Sequence, residues 1–215
     1  MLRRIFFTFL AALPLVMTAQ QQQIQRRSVS LYERPSYETA RVVQFFGREV
    51  KEEVNIFLKD ASLCFIREGK VYKANVDKVL GVKFHDAEYR NVNGQFGRLL
   101  DKNDRVQLIC VTTIDMKRFE AENRGDENTQ YLDLEIPGNG LFLKLHDDAI
   151  RSEDQGYPLM ETYYFYIKGE FVPAVEGKLK KYVKPEKKKD FRKLMGEKYW
   201  SLKDADNLKM LLDFF

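Results

Sequence analysis

The chain holds two histidines, two cysteines and 32 carboxylates, a small stock of groups that can do chemistry. His85 precedes Asp86, and His146 precedes Asp147 and Asp148; imidazole beside carboxylate suits zinc and similar ions. The two pairs stand 61 residues apart without local ligand spacing. Each falls where a strand should end, so polar strand exits are predicted rather than a metal site. Asp101-Lys102-Asn103-Asp104 opens like a calcium loop, but Arg105 takes the place of the next oxygen ligand. Asp147-Asp148 and Asp204-Ala205-Asp206 do not extend into such a loop either. There is no G-x-S-x-G around a serine, and Ser62 and Ser152 read as strand-edge or loop residues. Gly94 and Gly97 do not open a helix in a βαβ unit, so they support no phosphate cradle. A carboxylate pair of the kind that cleaves glycosides follows no spacing rule and stays open.

Cys64 and Cys110 lie in apolar, strand-like runs, unlike the electropositive, accessible niche of a thiol nucleophile. Two readings remain: two separate buried thiols, or a disulfide. A bridge would close a loop of about 46 residues and stabilise by roughly 4 kcal/mol on the chain-entropy model. The disulfide needs an oxidising compartment, and the first residues predict one. Arg3 and Arg4 precede an apolar run over residues 5–16, then Met17-Thr18-Ala19 and four glutamines. This is the pattern of a secretory signal over residues 1–19, cleaved after Ala19. Its apolar core is too short for a membrane-crossing helix, which needs about 20 residues. No later stretch reaches 18 apolar residues, so no transmembrane helix is expected.

Loss of Arg3 and Arg4 leaves 34 basic residues against 32 acidic ones, so the basic pI says little about the whole protein. The charge is concentrated instead. Residues 177–198 hold ten Lys and Arg against three acids. Such a run is either the solvated face of a surface helix or a patch for phosphate-bearing lipid or another polyanion. No nucleic-acid fold signature accompanies it, and nucleic acid is not expected as a partner. Lys187, Lys188, Lys189 and Lys193 are the candidate partner surface here. The second candidate surface comes from Tyr163-Tyr164-Phe165-Tyr166, where strand alternation turns two rings inward and leaves two for a ligand; Tyr164 and Tyr166 are taken as the outward pair.

These groups must be held by elements of an α+β fold. Residues 20–35 are predicted as a polar tether and residues 36–215 as one mainly β domain. Between residues 36 and 58 the apolar positions fit helical spacing, against β-branched content and Gly47. From residue 62 strands take over. Hairpins are predicted at Gly69, at residues 85–87, at Asn93-Gly94 and at Lys168-Gly169, and another over residues 131–146 around Pro137-Gly138-Asn139-Gly140. The run from 105 to 115 is too continuously apolar to face solvent on one side. Residues 185–215 should form two amphipathic helices, with Pro185 in a first turn and Ser201-Leu202-Lys203-Asp204 as a capping box. Phe214-Phe215 follows helical spacing rather than the pattern of a barrel strand. The architecture predicted is a predominantly antiparallel sheet, curled or sandwich-like, closed by two C-terminal amphipathic helices.

The ending TYYFYIKGEFVPA, KLKKYV, EKKKDFRKLM and WSLKDADNLKMLLDFF, with GKVYKANVDKVLGVKF earlier, resembles that of uncharacterised exported proteins of Bacteroidota-type bacteria. The resemblance covers roughly residues 55–215 and consists of layout rather than chemical motifs. It implies an exported bacterial domain and transfers no site residue. The expectation is a non-enzymatic protein without cofactor, placed in the periplasm or at the cell exterior. It would bind an envelope protein or an anionic surface component. The alternative is a small hydrolase that acts on an envelope polymer through a carboxylate pair.

Overall fold

The computed structural model describes residues 26–122 and 156–215. The leader, the hairpin at 131–146, His146 and Ser152 lie outside the described residues. The described residues form eleven strands: β1 (Arg27–Ser28), β2 (Glu38–Gln44), β3 (Glu49–Phe57), β4 (Ser62–Arg67), β5 (Lys70–Lys73), β6 (Val79–Lys83), β7 (Glu88–Val92), β8 (Gln95–Lys102), β9 (Val106–Ile114), β10 (Tyr157–Ile167) and β11 (Glu170–Pro173). They form one antiparallel sheet in the order β1-β10-β9-β8-β7-β6-β2-β3-β4-β5, with β11 on β10. Helix α1 (Met116–Glu122) follows β9, and α2 (Glu176–Leu179), α3 (Lys188–Met195) and α4 (Ala205–Lys209) follow β11. The fold class is the predicted one, a mostly antiparallel, curled sheet with helices near the C-terminus.

Local chemistry sets the hairpins. Glu68-Gly69, Asn93-Gly94 and Lys168-Gly169 each place both turn residues at positive φ. Two-residue turns of that kind match the right-handed strand twist. The curl comes from a different contact. The turn after β3 lays Leu58 O against Ile114 N at 2.8 Å and Ala61 O against Phe96 N at 2.7 Å, bending one end of the sheet over β8 and β9. Residues 106–114 are apolar almost throughout because both faces of β9 are covered. Val106, Leu108 and Cys110 join one buried cluster, and Ile109 and Val111 join another.

One segment that the sequence leaves open is resolved, and two expectations are corrected. Residues 38–57 form the β2–β3 hairpin. The helix-like spacing arose because residues 54–58 are buried consecutively, which hides the two-residue period. The hairpin turns at Phe46-Gly47, where Phe46 has φ 63° and is fully exposed. The predicted tether also ends earlier than residue 35. Arg27–Ser28 pair with β10, Leu31 and Tyr32 are buried, and Glu33 N donates to Ile56 O at 2.9 Å. Finally, Asp204 rather than Ser201 caps α4, since its carboxylate accepts from the Asp206 and Asn207 amides, both at 2.9 Å. Ser201 is spent on the Lys203 amide at 3.1 Å.

Gly97 is the tightest joint between β8 and β9. A Cβ there would stand 2.6 Å from Ile109 Cγ2, 2.9 Å from Val111 Cγ2 and 3.1 Å from Cys110 O. Gly97→Ala is therefore expected to cost about 1–3 kcal/mol by overpacking. Urea denaturation measures it, and an unchanged midpoint would mean that these strands do not meet as described.

Candidate functional site

The C-terminal segment is positioned by burial of its apolar side on β9, β10 and β11. Leu179, Val183, Phe191, Leu208, Leu211, Leu212 and Phe215 are buried against Val106, Leu108, Phe165, Ile167 and Val172. Phe215 meets Phe165 edge-on at 5.1 Å, and Phe214 meets Phe191 at 6.2 Å. Pro185 opens a short 3₁₀ turn before α3, as its fixed φ suits. Lys184 ties this turn to the chain end, since its amide donates to Phe214 O at 2.9 Å and its Nζ to Asp213 O at 3.0 Å. With the apolar residues used inward, the intervening lysines are turned outward.

Two adjoining cavities result. The first, about 300 Å³, is lined by Gly177, Lys180, Lys181, Val183, Lys188, Phe191 and Arg192. The second, about 610 Å³, has Arg105, Lys168, Lys181, Lys184 and Lys188 around a floor that includes Val106, Ile167, Val183 and Phe215. Lys181, Val183 and Lys188 line both. Neither lining contains an acidic side chain. Among the described residues, Arg105, Lys168, Lys180, Lys181, Lys188 and Arg192 form no ion pair, whereas most other clusters of charge on the sheet are paired, such as Arg41 and Lys83 with Glu49. The linings of both cavities therefore carry a clear positive excess. Such an excess around a concave, partly apolar surface attracts and holds anions.

Of the four lysines singled out in the sequence, only Lys188 lines the cavities. Lys187 lies over the Phe214 ring at 5.3 Å, and Lys189 and Lys193 are exposed. Arg105 and Lys168 were missed. They come from the β8–β9 and β10–β11 turns, far from the lysine run in sequence, and nothing local marks them. Tyr164 and Tyr166 are half-buried on the other face of β10, with Leu99, Ile109, Val111 and Phe171. Tyr166 packs on Phe171 at 4.9 Å. The basic region and the tyrosine pair therefore lie on opposite faces of the sheet.

The other candidates resolve as follows. His85 is exposed, with Nδ1 3.8 Å from Glu38 and 3.6 Å from Asp86. Both carboxylates are already engaged by Arg34, at 2.9 Å and 2.8 Å, while its guanidinium lies over the Phe84 ring at 4.5 Å. Arg34 holds the Asp86 carboxyl below its usual range. The calcium-like Asn103 is a turn residue whose side chain accepts from the Arg105 and Val106 amides. Cys64 and Cys110, the candidate disulfide, are two buried free thiols in different clusters. Burial pushes both thiols up to about 12, with the Glu161 charge adding at Cys110.

A second group of titratable residues crosses the sheet. Register aligns Tyr89 with Arg98, Arg98 with Cys110, and Cys110 with Tyr163. Glu161 accepts from Tyr163 Oη at 2.6 Å and pairs with Arg26 at 3.0 Å. Glu33 accepts a long bond from Tyr89 Oη at 3.4 Å. Burial raises the Glu33 carboxyl above its usual range, Arg26 and Arg98 oppose this, and the Glu161 charge adds to it.

No protein-family model, curated protein or solved structure matches this chain. No helix among the described residues is long and apolar enough to cross a membrane.

A thiol reagent at pH 8 is expected to leave both cysteines unmodified in the folded protein and to modify both after denaturation without reductant. Absence of free thiol after denaturation would instead reveal a bridge. The raised thiols also set a pH dependence. Their stabilisation is complete below the unfolded thiol range near 8.5 and is lost as pH rises toward about 12.

Proposed function

We propose that this is an exported, non-enzymatic binding protein whose ligand is an anionic component of the cell envelope. The carrying observation is the pair of cavities walled by unpaired lysines and arginines over an apolar floor. Exposed ion pairs contribute only about 0.2–1 kcal/mol each. A single surface lysine would therefore hold nothing, but several cations converging on one concavity suffice for a specific, salt-sensitive complex. The export reading rests on residues 1–19 and on the layout resemblance, and the concavity supplies the surface such a protein would use.

Glu33 supports a second reading, a hydrolase of an envelope polymer. A carboxyl raised by burial, with the charge of a second acid adding to the rise, is the arrangement of a proton donor and its companion acid. Glu161 is the companion, although Arg26 and Tyr163 already engage it. Glu33→Gln separates structure from catalysis. Its carboxyl favours the folded state below the unfolded value, and that contribution fades as pH rises through the raised folded one. The variant is therefore expected to be more stable than the parent near pH 7 and equal to it near pH 4, as read from urea midpoints at the two pH values. Loss of polymer cleavage by purified protein would favour the hydrolase, and absence of cleavage by the parent would end it.

For the binding reading, Lys181→Glu with Lys188→Glu is expected to cut retention in washed envelopes of the source cells at least tenfold. Lys189→Glu with Lys193→Glu, outside the cavities, is expected to change retention less than threefold. Equal retention of both variants and the parent would refute the basic site.

A further inference from the structure

The two cavities are not independent patches. They share the exposed Lys181 and Lys188 and the buried Val183. Each then has cations of its own. Lys180 and Arg192 belong to the smaller cavity, and Arg105, Lys168 and Lys184 to the larger. We infer that they are the two halves of one site for a ligand bearing two separated phosphate groups, one seated in each cavity across the Lys181–Lys188 ridge. This rests on the reading of the basic face as an anion-binding site and names the chemistry of its ligand.

The charge count in each half decides between anions. A carboxylate carries one negative charge and is satisfied by one forked arginine or one or two lysines. A phosphomonoester carries nearly two charges and three acceptor oxygens, so it can engage several donors at once. Lysine is the main cation in both halves and binds phosphate as a point charge, which tolerates varied approach, while Arg105 and Arg192 add planar forks at the two ends. The shared lysines place the two halves close enough for one linked ligand to reach both. Once one phosphate is seated, the second is delivered at high effective concentration, and linkage of two such groups commonly strengthens binding by 10²-fold or more. The larger cavity also has room and an apolar floor for part of the spacer beside its phosphate. A sugar bisphosphate and the headgroup of a bisphosphorylated glycolipid present this same chemistry.

Isothermal titration of the purified protein with inorganic phosphate and with glucose 1,6-bisphosphate tests the inference, together with flotation on phosphatidylcholine vesicles with and without a bisphosphorylated glycolipid. The bisphosphate, free or on vesicles, is expected to bind at least tenfold more tightly than inorganic phosphate. Capture on glycolipid vesicles alone would support a membrane source, and binding of the sugar bisphosphate a soluble one. Lys180→Glu with Arg192→Glu, and separately Arg105→Glu with Lys168→Glu, should each lower bisphosphate affinity to the phosphate level. Thermal midpoints within a few degrees of the parent would show that both variants fold. Equal affinity for phosphate and bisphosphate would overturn the two-part site and leave the anion-binding reading standing. Binding of none of the probes would overturn both, and tighter binding of a DNA duplex than of the bisphosphate would assign the cations to a different partner.

Discussion

Burial of β9 from both sides is the constraint on which the molecule depends. One face is covered by the C-terminal helices, and the other by the curl that brings the β3–β4 turn onto β8 and β9. A strand so covered cannot carry charge along its length, and Val106–Ile114 carries none. Its neighbours inherit the requirement. Gly97 must lack a side chain because Ile109 and Val111 fill the space above it, and Tyr163, Phe165 and Ile167 must turn toward the helices.

The charge distribution follows from that packing. The segment after β11 supplies about a third of its positions to the buried face, among them Leu179, Val183, Phe191, Leu208 and Phe215. The lysines between them have nowhere to go but outward. Elsewhere many cations meet carboxylates, as Arg26 does Glu161 beside β10 and Arg118 does Glu122 in α1. Along residues 177–198 too few acids exist for that pairing. Repulsion among unpaired cations destabilises a folded state, so this excess is costly to keep, and the proposed anionic ligand would relieve it.

Much of the architecture was legible in the sequence. The turns at Glu68-Gly69, Asn93-Gly94 and Lys168-Gly169 announce themselves, because glycine after a residue able to take positive φ is the signature of a tight hairpin. The continuous apolar run of β9 was readable as a strand buried on both faces. The β2–β3 hairpin was not, for two physical reasons. Its turn uses Phe46, a residue seldom found at positive φ, and the consecutive burial of residues 54–58 erases strand alternation. Asp204 could have been read as the α4 cap, but Ser201 offered the same chemistry three residues earlier. Of the candidate site, the lysine run was visible and its shape was not. Which lysines converge depends on how the segment lies on β9 and β10, and Arg105 and Lys168 enter only through the turns of those strands.

Backbone hydrogen exchange, followed by mass spectrometry with and without the glucose bisphosphate, tests the central claim most directly. Amides that open locally report contacts made at the surface, whereas those of β9 report the core. The account predicts ligand-dependent protection confined to peptides containing residues 103–106, 167–169 and 178–192. Protection elsewhere on the sheet, with these segments unchanged, would contradict it.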